Sequence, residues 1–297
     1  MTVKIFPARA ALSLCVFIFL SGCGPRYVGP EPLVEDLLAE ARQLYEREKY
    51  GEAKEKLEAI KFDHPGNPYI GEVQHFIGLC NFRLKDYPAA EQDFRTVVRE
   101  FPAGEKYSDA AHYYLCLTLF KESLPPRLDQ ELTQKAIDET DGFLETRGEG
   151  AFADSVKALR KTCVDKLAEK EFLAGQLYRR MGYTSSAIHY FKSLEKEYPD
   201  SRWCVRGRYE WALSYYLQRN YTDAEKIADT CGMKIAALVE SEKQAMREIR
   251  KRGLFYRLVH GFGLVPYDER SGIRVFTDDL KTDLARLYRK IEKKKSK

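Results

Sequence analysis

The chain has 297 residues, which is enough for an extended core rather than a minimal domain. Charged residues make up 32% of it and aromatic residues 12%, but the net charge is only +4. So small an excess of positive charge argues against a nucleic-acid-binding protein that relies on a strongly basic surface.

The amino terminus has the pattern of a secretion signal. Lys4 and Arg9 give a positive start, and the apolar run over residues 10–20 is too short to span a bilayer comfortably. The run is followed by Ser21, Gly22 and Cys23, and the sequence LSGC resembles the lipobox of bacterial lipoproteins. The alternative is an ordinary secretory signal with a chance cysteine.

The lipobox resemblance implies that residues 1–22 are removed and that Cys23 is acylated. Several acyl chains give stable membrane attachment, whereas one gives only marginal binding. Gly24 follows the cysteine where an Asp would favour the inner membrane, so the resemblance favours the periplasmic face of the outer membrane. Residues 23–32 contain three prolines and are predicted to form a short extended tether.

Residues 168–201 carry a repeat signature. A period of about 34 residues, with small, aromatic and proline positions in this order, is typical of the tetratricopeptide repeat. Two short antiparallel helices need small residues where they touch and large ones around that contact, and a proline stops the second helix. The residues at these positions are Gly175, Tyr178, Ala187, Phe191, Leu194 and Pro199.

The same frame fits five times and predicts an all-α superhelical solenoid of helix hairpins. The third copy is irregular, because its extra residues fall at 123–134, around Pro125 and Pro126, and indicate a lengthened turn. One hairpin cannot bury its apolar face alone, so neighbouring hairpins must stack on each other. The predicted repeats are about 33–66, 70–103, 108–150, 167–200 and 203–232.

Seven cysteines occur, and two of them belong to the leader and the anchor. Cys80 and Cys116 stand at small-residue positions, where buried free thiols are expected. Cys204 and Cys231 flank the fifth repeat, and either a disulfide between them or two free thiols is compatible with the spacing. No CxxC pair occurs in the sequence, so neither a redox motif nor a zinc site is indicated.

Catalytic motifs are missing from the sequence. HExxH, GxSxG, GxxxxGK[ST] and GxGxxG do not occur, and none of the five histidines has metal-ligand spacing. The carboxylates alternate with Lys and Arg along helices, as solvated surface does. We therefore expect a protein that is not an enzyme and has no cofactor or metal.

The first helices of the hairpins are predicted to line a concave face. Aromatic rings on such a face suit an extended peptide, because they supply large apolar area at low entropic cost. The alternative is that these rings simply pack between neighbouring repeats. The candidate groove residues are Tyr45, His75, Phe82, Tyr113 and Phe120, and the same face should carry Arg179 and Tyr216.

A lipobox followed by five such repeats with an enlarged third turn resembles the BamD-type family of outer-membrane assembly lipoproteins. The similarity covers about residues 15–232 and is strongest over 123–201. The resemblance implies a scaffold of the β-barrel assembly machinery. Its earlier repeats would receive unfolded outer-membrane protein substrates. Its later repeats would dock on the periplasmic domain of a BamA-like barrel protein, alongside other assembly lipoproteins.

The family uses basic residues around its fifth repeat for docking, and Arg202, Arg206 and Arg208 occupy that neighbourhood here. A charged solvated face is the alternative for these three. A generic periplasmic repeat lipoprotein that coordinates cell-envelope or peptidoglycan processes is the alternative function. A wall hydrolase would need a catalytic constellation in residues 233–297, which contain only His260 and scattered acids.

The extension over residues 233–297 is longer than the family pattern. It holds 17 Lys or Arg and 9 Asp or Glu, a net charge of +8. We expect a helix over 233–252, a Gly- and Pro-broken apolar stretch over 253–276, and a last helix from Asp278 or Asp279 to Lys290. The tail is compatible with an acidic partner, with anionic lipid, or with a solubilising lysine-rich end.

Overall fold

The computed structural model describes residues 33–252 and 269–296, so the leader, Cys23 and the tether lie outside the described residues. Every regular element in those two ranges is an α-helix. The predicted all-α tetratricopeptide solenoid is confirmed. The helices are α1 (Val34–Glu46), α2 (Tyr50–Asp63), α3 (Ile70–Leu84), α4 (Tyr87–Glu100), α5 (Lys106–Glu122), α6 (Glu131–Arg147), α7 (Ala153–Arg180), α8 (Thr184–Glu197), α9 (Arg202–Leu217), α10 (Tyr221–Arg252) and α11 (Glu269–Lys295).

Consecutive helices form five antiparallel hairpins, and four of them share one tight turn. A residue one or two positions after the end of the first helix adopts the left-handed conformation. Its N–H and the N–H of the following residue donate hydrogen bonds to carbonyls in the last turn of that helix. In the fourth hairpin, Gly182 N–H donates to Arg179 O (3.0 Å) and Tyr183 N–H to Tyr178 O (2.9 Å). The left-handed residues are Glu48, Lys85, Gly182 and Arg219.

The third hairpin has the lengthened turn instead. Its first helix ends at Glu122 and its second begins at Glu131. The buried side chain of Gln130 holds this turn, because its Nε2 donates to the carbonyls of Leu124 (3.1 Å), Pro125 (2.8 Å) and Asp129 (2.9 Å). A single amide thus satisfies backbone groups that would otherwise be left without partners inside the turn.

The hairpins are stacked with their first helices on the inner side. The first helices of the second to fifth hairpins contact one another in succession, and the second helices, in the described part, make no more than marginal contact with each other. A stack that is tighter on one side curves toward that side. The first helices therefore line the concave face of the solenoid.

Helix α7 joins two parts of the core. At 28 residues it is roughly 42 Å long. Its amino-terminal half contributes Leu159 and Cys163 to the core around the second and third hairpins, and its carboxy-terminal half contributes Ala168 and Phe172 to the core of the fourth.

The carboxy-terminal helix covers the last hairpin. Residue 232, the predicted end of the fifth repeat, lies inside α10, which continues to Arg252. Helix α11 begins at Glu269, earlier than the predicted start at Asp278 or Asp279. Its apolar side closes the end of the solenoid, where a further repeat would otherwise stack. The residues that meet there are Leu280, Leu284, Leu287 and Ile291 from α11, and Ala224, Ala228, Cys231 and Ile235 from α10.

Cys80, Cys116, Cys163, Cys204 and Cys231 are buried free thiols. Cys204 Sγ lies 3.0 Å from Glu195 Oε2, and Cys231 Sγ lies 3.4 Å from the carbonyl of Val205, so the two thiols have separate partners. Of the helices that the structure describes, none combines the length and apolarity needed to cross a bilayer.

Candidate functional site

Three of the five predicted groove rings lie half-buried on the inner face, one on each of the first three hairpins. Tyr45, Phe82 and Phe120 occupy the last turn of α1, α3 and α5. Each of these side chains packs against neighbours but remains partly exposed to solvent. This is the part of the inner face that offers apolar area to a ligand.

Neighbouring side chains fix the orientation of these rings. Tyr45 makes an edge contact with Phe76 (ring centroids 5.7 Å apart), and its hydroxyl accepts a hydrogen bond from Arg83 Nε (3.2 Å). Burial raises the pKa of the Tyr45 hydroxyl, so this group stays a neutral hydrogen-bonding partner. The ammonium of Lys166 lies 5.3 Å from the centroid of the Phe120 ring. Aromatic rings and fixed cations therefore alternate along this face.

His75 and Tyr113 are buried, which corrects their predicted position on an open groove. Only 5% of His75 and 7% of Tyr113 is exposed. Tyr113 stacks on Phe152, with ring centroids 5.4 Å apart. The His75 ring contacts the rings of Phe94 and Tyr114. For these two residues the alternative, packing between repeats, is what the structure shows.

Burial also changes the chemistry of His75. The loss of water around the ring lowers its pKa to about 4, so the imidazole is neutral at physiological pH. Its Nδ1 is buried without a hydrogen-bond partner. The imidazole therefore packs in the core as a neutral ring and does not serve as an acid or base at physiological pH.

Two ion pairs cross the inner face between successive first helices, and the sequence analysis missed both. Arg42 of α1 pairs with the buried Glu72 of α3, which also accepts a hydrogen bond from the Tyr107 hydroxyl. Arg179, predicted on this face, pairs with the buried Glu210 of α9. A Glu in the first helix of a repeat is an available signal, but its arginine lies on another repeat, which sequence spacing alone does not identify.

The three arginines predicted for partner docking are divided by the structure. Arg202 and Arg206 project along α9 toward aromatic rings, and their guanidinium carbons lie 5.5 Å from the Trp203 centroid and 5.9 Å from the Phe172 centroid. Trp203 itself stacks on Phe172, with centroids 5.1 Å apart. These two of the three predicted arginines form, with Trp203, a partly exposed cationic and aromatic patch over the buried Phe172, and aromatic residues and Arg are enriched at protein interfaces.

Arg208 has a structural role inside the fifth hairpin. It pairs with Glu195 of α8 and donates to the carbonyl of Thr230 of α10 (3.2 Å), and its side chain is 12% exposed. Burial alone would raise the pKa of Glu195, but hydrogen bonds from Arg208 and Cys204 outweigh it and hold that pKa below its usual value. Arg208 therefore joins three helices and does not belong to the surface of Arg202 and Arg206.

The remaining predicted site, Cys23, lies outside the described residues. Within residues 33–252 and 269–296, no group of three or more His, Cys, Asp or Glu side chains is arranged to hold a metal ion.

Comparison with protein families gives one match. Residues 31–189, more than half of the chain, match the family model described as "YfiO: Outer membrane lipoprotein". No curated protein matches the chain significantly.

Several solved repeat structures resemble this chain at low sequence identity. A tetratricopeptide repeat protein from Parabacteroides merdae is 14% identical, with 84% of this chain and 98% of that chain covered and a TM-score of 0.34. A complex described as "TPR2AB-domain:pHSP90-complex of yeast Sti1" is 13% identical, with 87% and 98% covered and a TM-score of 0.38. The carboxy-terminal part of a repeat protein from Cytophaga hutchinsonii is 18% identical, with 84% and 95% covered and a TM-score of 0.28.

Proposed function

Because this chain belongs to the YfiO family of outer membrane lipoproteins, we propose that it is a lipid-anchored scaffold of outer-membrane β-barrel assembly. It acts by binding rather than by catalysis. In this proposal it receives unfolded barrel proteins on the inner face of its first repeats and docks through its later repeats on a BamA-like barrel protein. The family match over residues 31–189 is the observation that carries the proposal, because that range contains all five predicted groove residues.

The inner face supports binding of an extended peptide that ends in an aromatic residue. Tyr45, Phe82 and Phe120 are partly open rings on successive hairpins, and an extended strand places its alternate side chains on one side. Arg83 and Lys166 lie beside these rings and would attract a terminal carboxylate. In this proposal the buried side chains of His75 and Tyr113 do not contact the peptide. They pack against neighbouring helices and so hold in place the helices that carry the partly exposed rings.

The anchor in this proposal is Cys23. Acylation there would hold the first hairpin near the periplasmic face of the outer membrane, with residues 24–32 as the tether. A fully extended tether of this length reaches roughly 30 Å, enough to leave the inner face accessible to a substrate. The docking surface is proposed to include Arg202 and Arg206, with Phe172 and Trp203 beneath their guanidinium groups.

Peptide binding is the direct test of the groove. A fluorescent peptide with the carboxy-terminal sequence of a barrel protein would be titrated with the mature chain, and the dissociation constant measured by anisotropy. Phe82→Ala and Tyr45→Ala should weaken binding about tenfold each, because each ring supplies stacking area. Phe62→Ala is the matched control, since that ring is 85% exposed on a second helix. Equal effects of Phe62→Ala and Phe82→Ala would exclude the groove.

The partner is tested by purification from membranes in mild detergent, with Cys23 intact and a tag after Lys297. A barrel protein with periplasmic domains in near-equal amount is the expected result, and Arg206→Glu should reduce its recovery. Recovery of peptidoglycan or division proteins without a barrel protein would favour the alternative, a repeat lipoprotein that coordinates other envelope processes.

A further inference from the structure

One edge of the solenoid carries exposed apolar side chains that the proposed groove and docking surface do not use. The turns between the first and second helix of every hairpin lie along this edge. In the fourth and fifth hairpins it presents Met181 (58% exposed), Tyr183 (58%) and Leu217 (51%). Most exposed apolar side chains of soluble proteins occur singly, so a group of three large ones at neighbouring turns indicates a contact surface.

Hydrogen bonds join the two turns that carry these three residues. Gln218 Nε2, at the end of α9, donates to Thr184 Oγ1 (3.0 Å) and Ser185 Oγ (3.1 Å), at the start of α8. These bonds tie the turn that contains Leu217 to the turn that contains Met181 and Tyr183. The three exposed apolar side chains therefore lie in two adjacent turns.

Positively charged side chains lie close in sequence to these apolar residues. Arg180 and Arg219 are exposed in the same two turns, next to Met181 and two residues beyond Leu217. Arg219 is also the left-handed residue of its turn, with φ of 62°.

The end of α11 adds lysines to the same edge. Helix α11 runs antiparallel to α10, because Tyr288 Oη donates to Asp229 (2.7 Å) and Lys295 pairs with Glu225 in the first turns of α10. The last turns of α11 thus reach the edge where α10 begins. The exposed lysines they bring are Lys290, Lys293 and Lys294.

We propose that this edge patch, formed by Arg180, Met181, Tyr183, Leu217, Arg219 and the lysines of the last turns of α11, binds the anionic phospholipid headgroups of the membrane. The apolar side chains would enter the headgroup region, where Tyr is favoured, and the cations would meet phosphates. The proposal rests on the membrane location in the proposed function. It adds to the proposed acyl anchor a second membrane contact, on the last two hairpins and α11.

The composition of the patch favours lipid over an acidic protein. Lysine is depleted at protein–protein interfaces, whereas clusters of lysine suit a diffuse layer of phosphates that needs no fixed geometry. Two nearby acidic groups are engaged within the protein, since Glu225 pairs with Lys295 and Asp223 Oδ2 accepts from Asn220 (2.7 Å). The exposed Glu292 also lies in the last turns of α11, where the exposed lysines outnumber it. A weak patch is sufficient, because an acyl anchor elsewhere on the chain raises its effective concentration at the membrane.

Vesicle sedimentation tests the patch without any partner protein. The probe is the mature chain from residue 23, with Cys23→Ser so that no acyl chain contributes. It should bind vesicles with about one third phosphatidylglycerol, and bind pure phosphatidylcholine vesicles at least tenfold more weakly. Binding should be lost at about 0.5 M salt, where surface charges are screened.

Two variants separate the charged and apolar parts of the patch. Arg180→Glu with Arg219→Glu should reduce binding at least tenfold, and Met181→Ser with Leu217→Ser should reduce it severalfold at unchanged charge. The matched control is Phe62→Ser with Arg99→Glu, because Phe62 is 85% and the Arg99 side chain 75% exposed away from this edge. Circular dichroism would verify that each variant is folded.

The outcomes are distinct from those for the barrel-assembly proposal. Absence of vesicle binding, or equal losses in patch and control variants, would overturn the membrane contact and leave the peptide and co-purification results as they stand. If the patch variants kept vesicle binding but lost the co-purified protein, the edge would be a protein-docking surface and the lipid proposal would be wrong.

Discussion

Gly175 and Phe191 touch so closely that no larger residue fits at the glycine. A Cβ atom placed on Gly175 would lie 2.6 Å from Cε1 of Phe191, which is fully buried. The second hairpin repeats this contact, where a Cβ on Gly78 would lie 2.7 Å from Phe94. In the second and fourth hairpins, the distance between the two helices is thus set by a phenylalanine ring that packs directly on the backbone of a glycine.

Gly175→Ala should lower the free energy of unfolding by about 1 to 3 kcal/mol, because the added methyl displaces Phe191 in a closely packed core. Gly142→Ala is the matched control, since a Cβ there meets nothing within 4 Å. It should be neutral or stabilise by up to about 1 kcal/mol through helix propensity. Urea denaturation monitored by circular dichroism measures both. Equal stability of the two variants would contradict the close contact.

Stability should depend on pH through His75. Burial lowers its pKa to about 4, whereas the unfolded chain has the ordinary value of about 6.5. Between these values the unfolded chain takes up a proton that the folded chain does not, so stability is lost as the pH falls below about 6.5. From pH 7 to pH 5 this one group should cost about 2 kcal/mol.

The variant His75→Phe isolates that contribution. It replaces the ring among Phe94, Tyr107 and Tyr114 with an apolar one of similar shape. The difference in unfolding free energy between pH 7 and pH 5 should be about 2 kcal/mol smaller in this variant than in the parent chain. Parallel pH profiles for the two proteins would show that His75 is not neutral in the folded state.

Helix α11 should contribute to the stability of the fifth hairpin. Leu287→Ala removes a side chain that is 2% exposed and packs on α10, and should cost about 2 to 4 kcal/mol. Arg286→Ala, one residue earlier and 63% exposed, should change stability by less than about 0.5 kcal/mol. Thermal and urea unfolding compare the pair. If α11 did not pack into the core, the two variants would show equally small changes in unfolding free energy.

Removing one partner of the inner-face ion pair between Arg179 and Glu210 should lower the free energy of unfolding substantially. Arg179→Met leaves Glu210, which is 5% exposed, with only the amide of Gln176 (3.1 Å) as a partner. We expect a loss of roughly 2 to 3 kcal/mol, below that for a fully buried pair because Arg179 is 18% exposed.

Two comparisons check this interpretation. Adding Glu210→Gln to Arg179→Met should recover part of the loss, because the unpaired charge is gone. Lys49→Met, which breaks an exposed pair with Glu52, should cost at most about 1 kcal/mol. If the double variant were less stable than Arg179→Met, the buried charge would not be the cause.

The sequence by itself determined the fold class, because its small and aromatic positions recur at a fixed period. A glycine such as Gly175 and an aromatic such as Phe191 have one arrangement in a helix hairpin, and local spacing encodes it. The lengthened turn of the third hairpin could also be predicted, since Pro125 and Pro126 stop a helix locally. The matched family model, over residues 31–189, covers the first three hairpins and ends in the second helix of the fourth.

Only the tertiary structure decided which side chains of those helices are open. Phe82 and His75 lie on the same first helix and both pointed to a groove, yet one is half-buried and the other is covered by the next hairpin. Arg206 and Arg208 are two residues apart, but Arg208 bonds to Glu195 on a neighbouring helix. Periodicity fixes the face of a helix that a residue occupies, whereas exposure depends on how deeply the next repeat packs against that face, which is a long-range property.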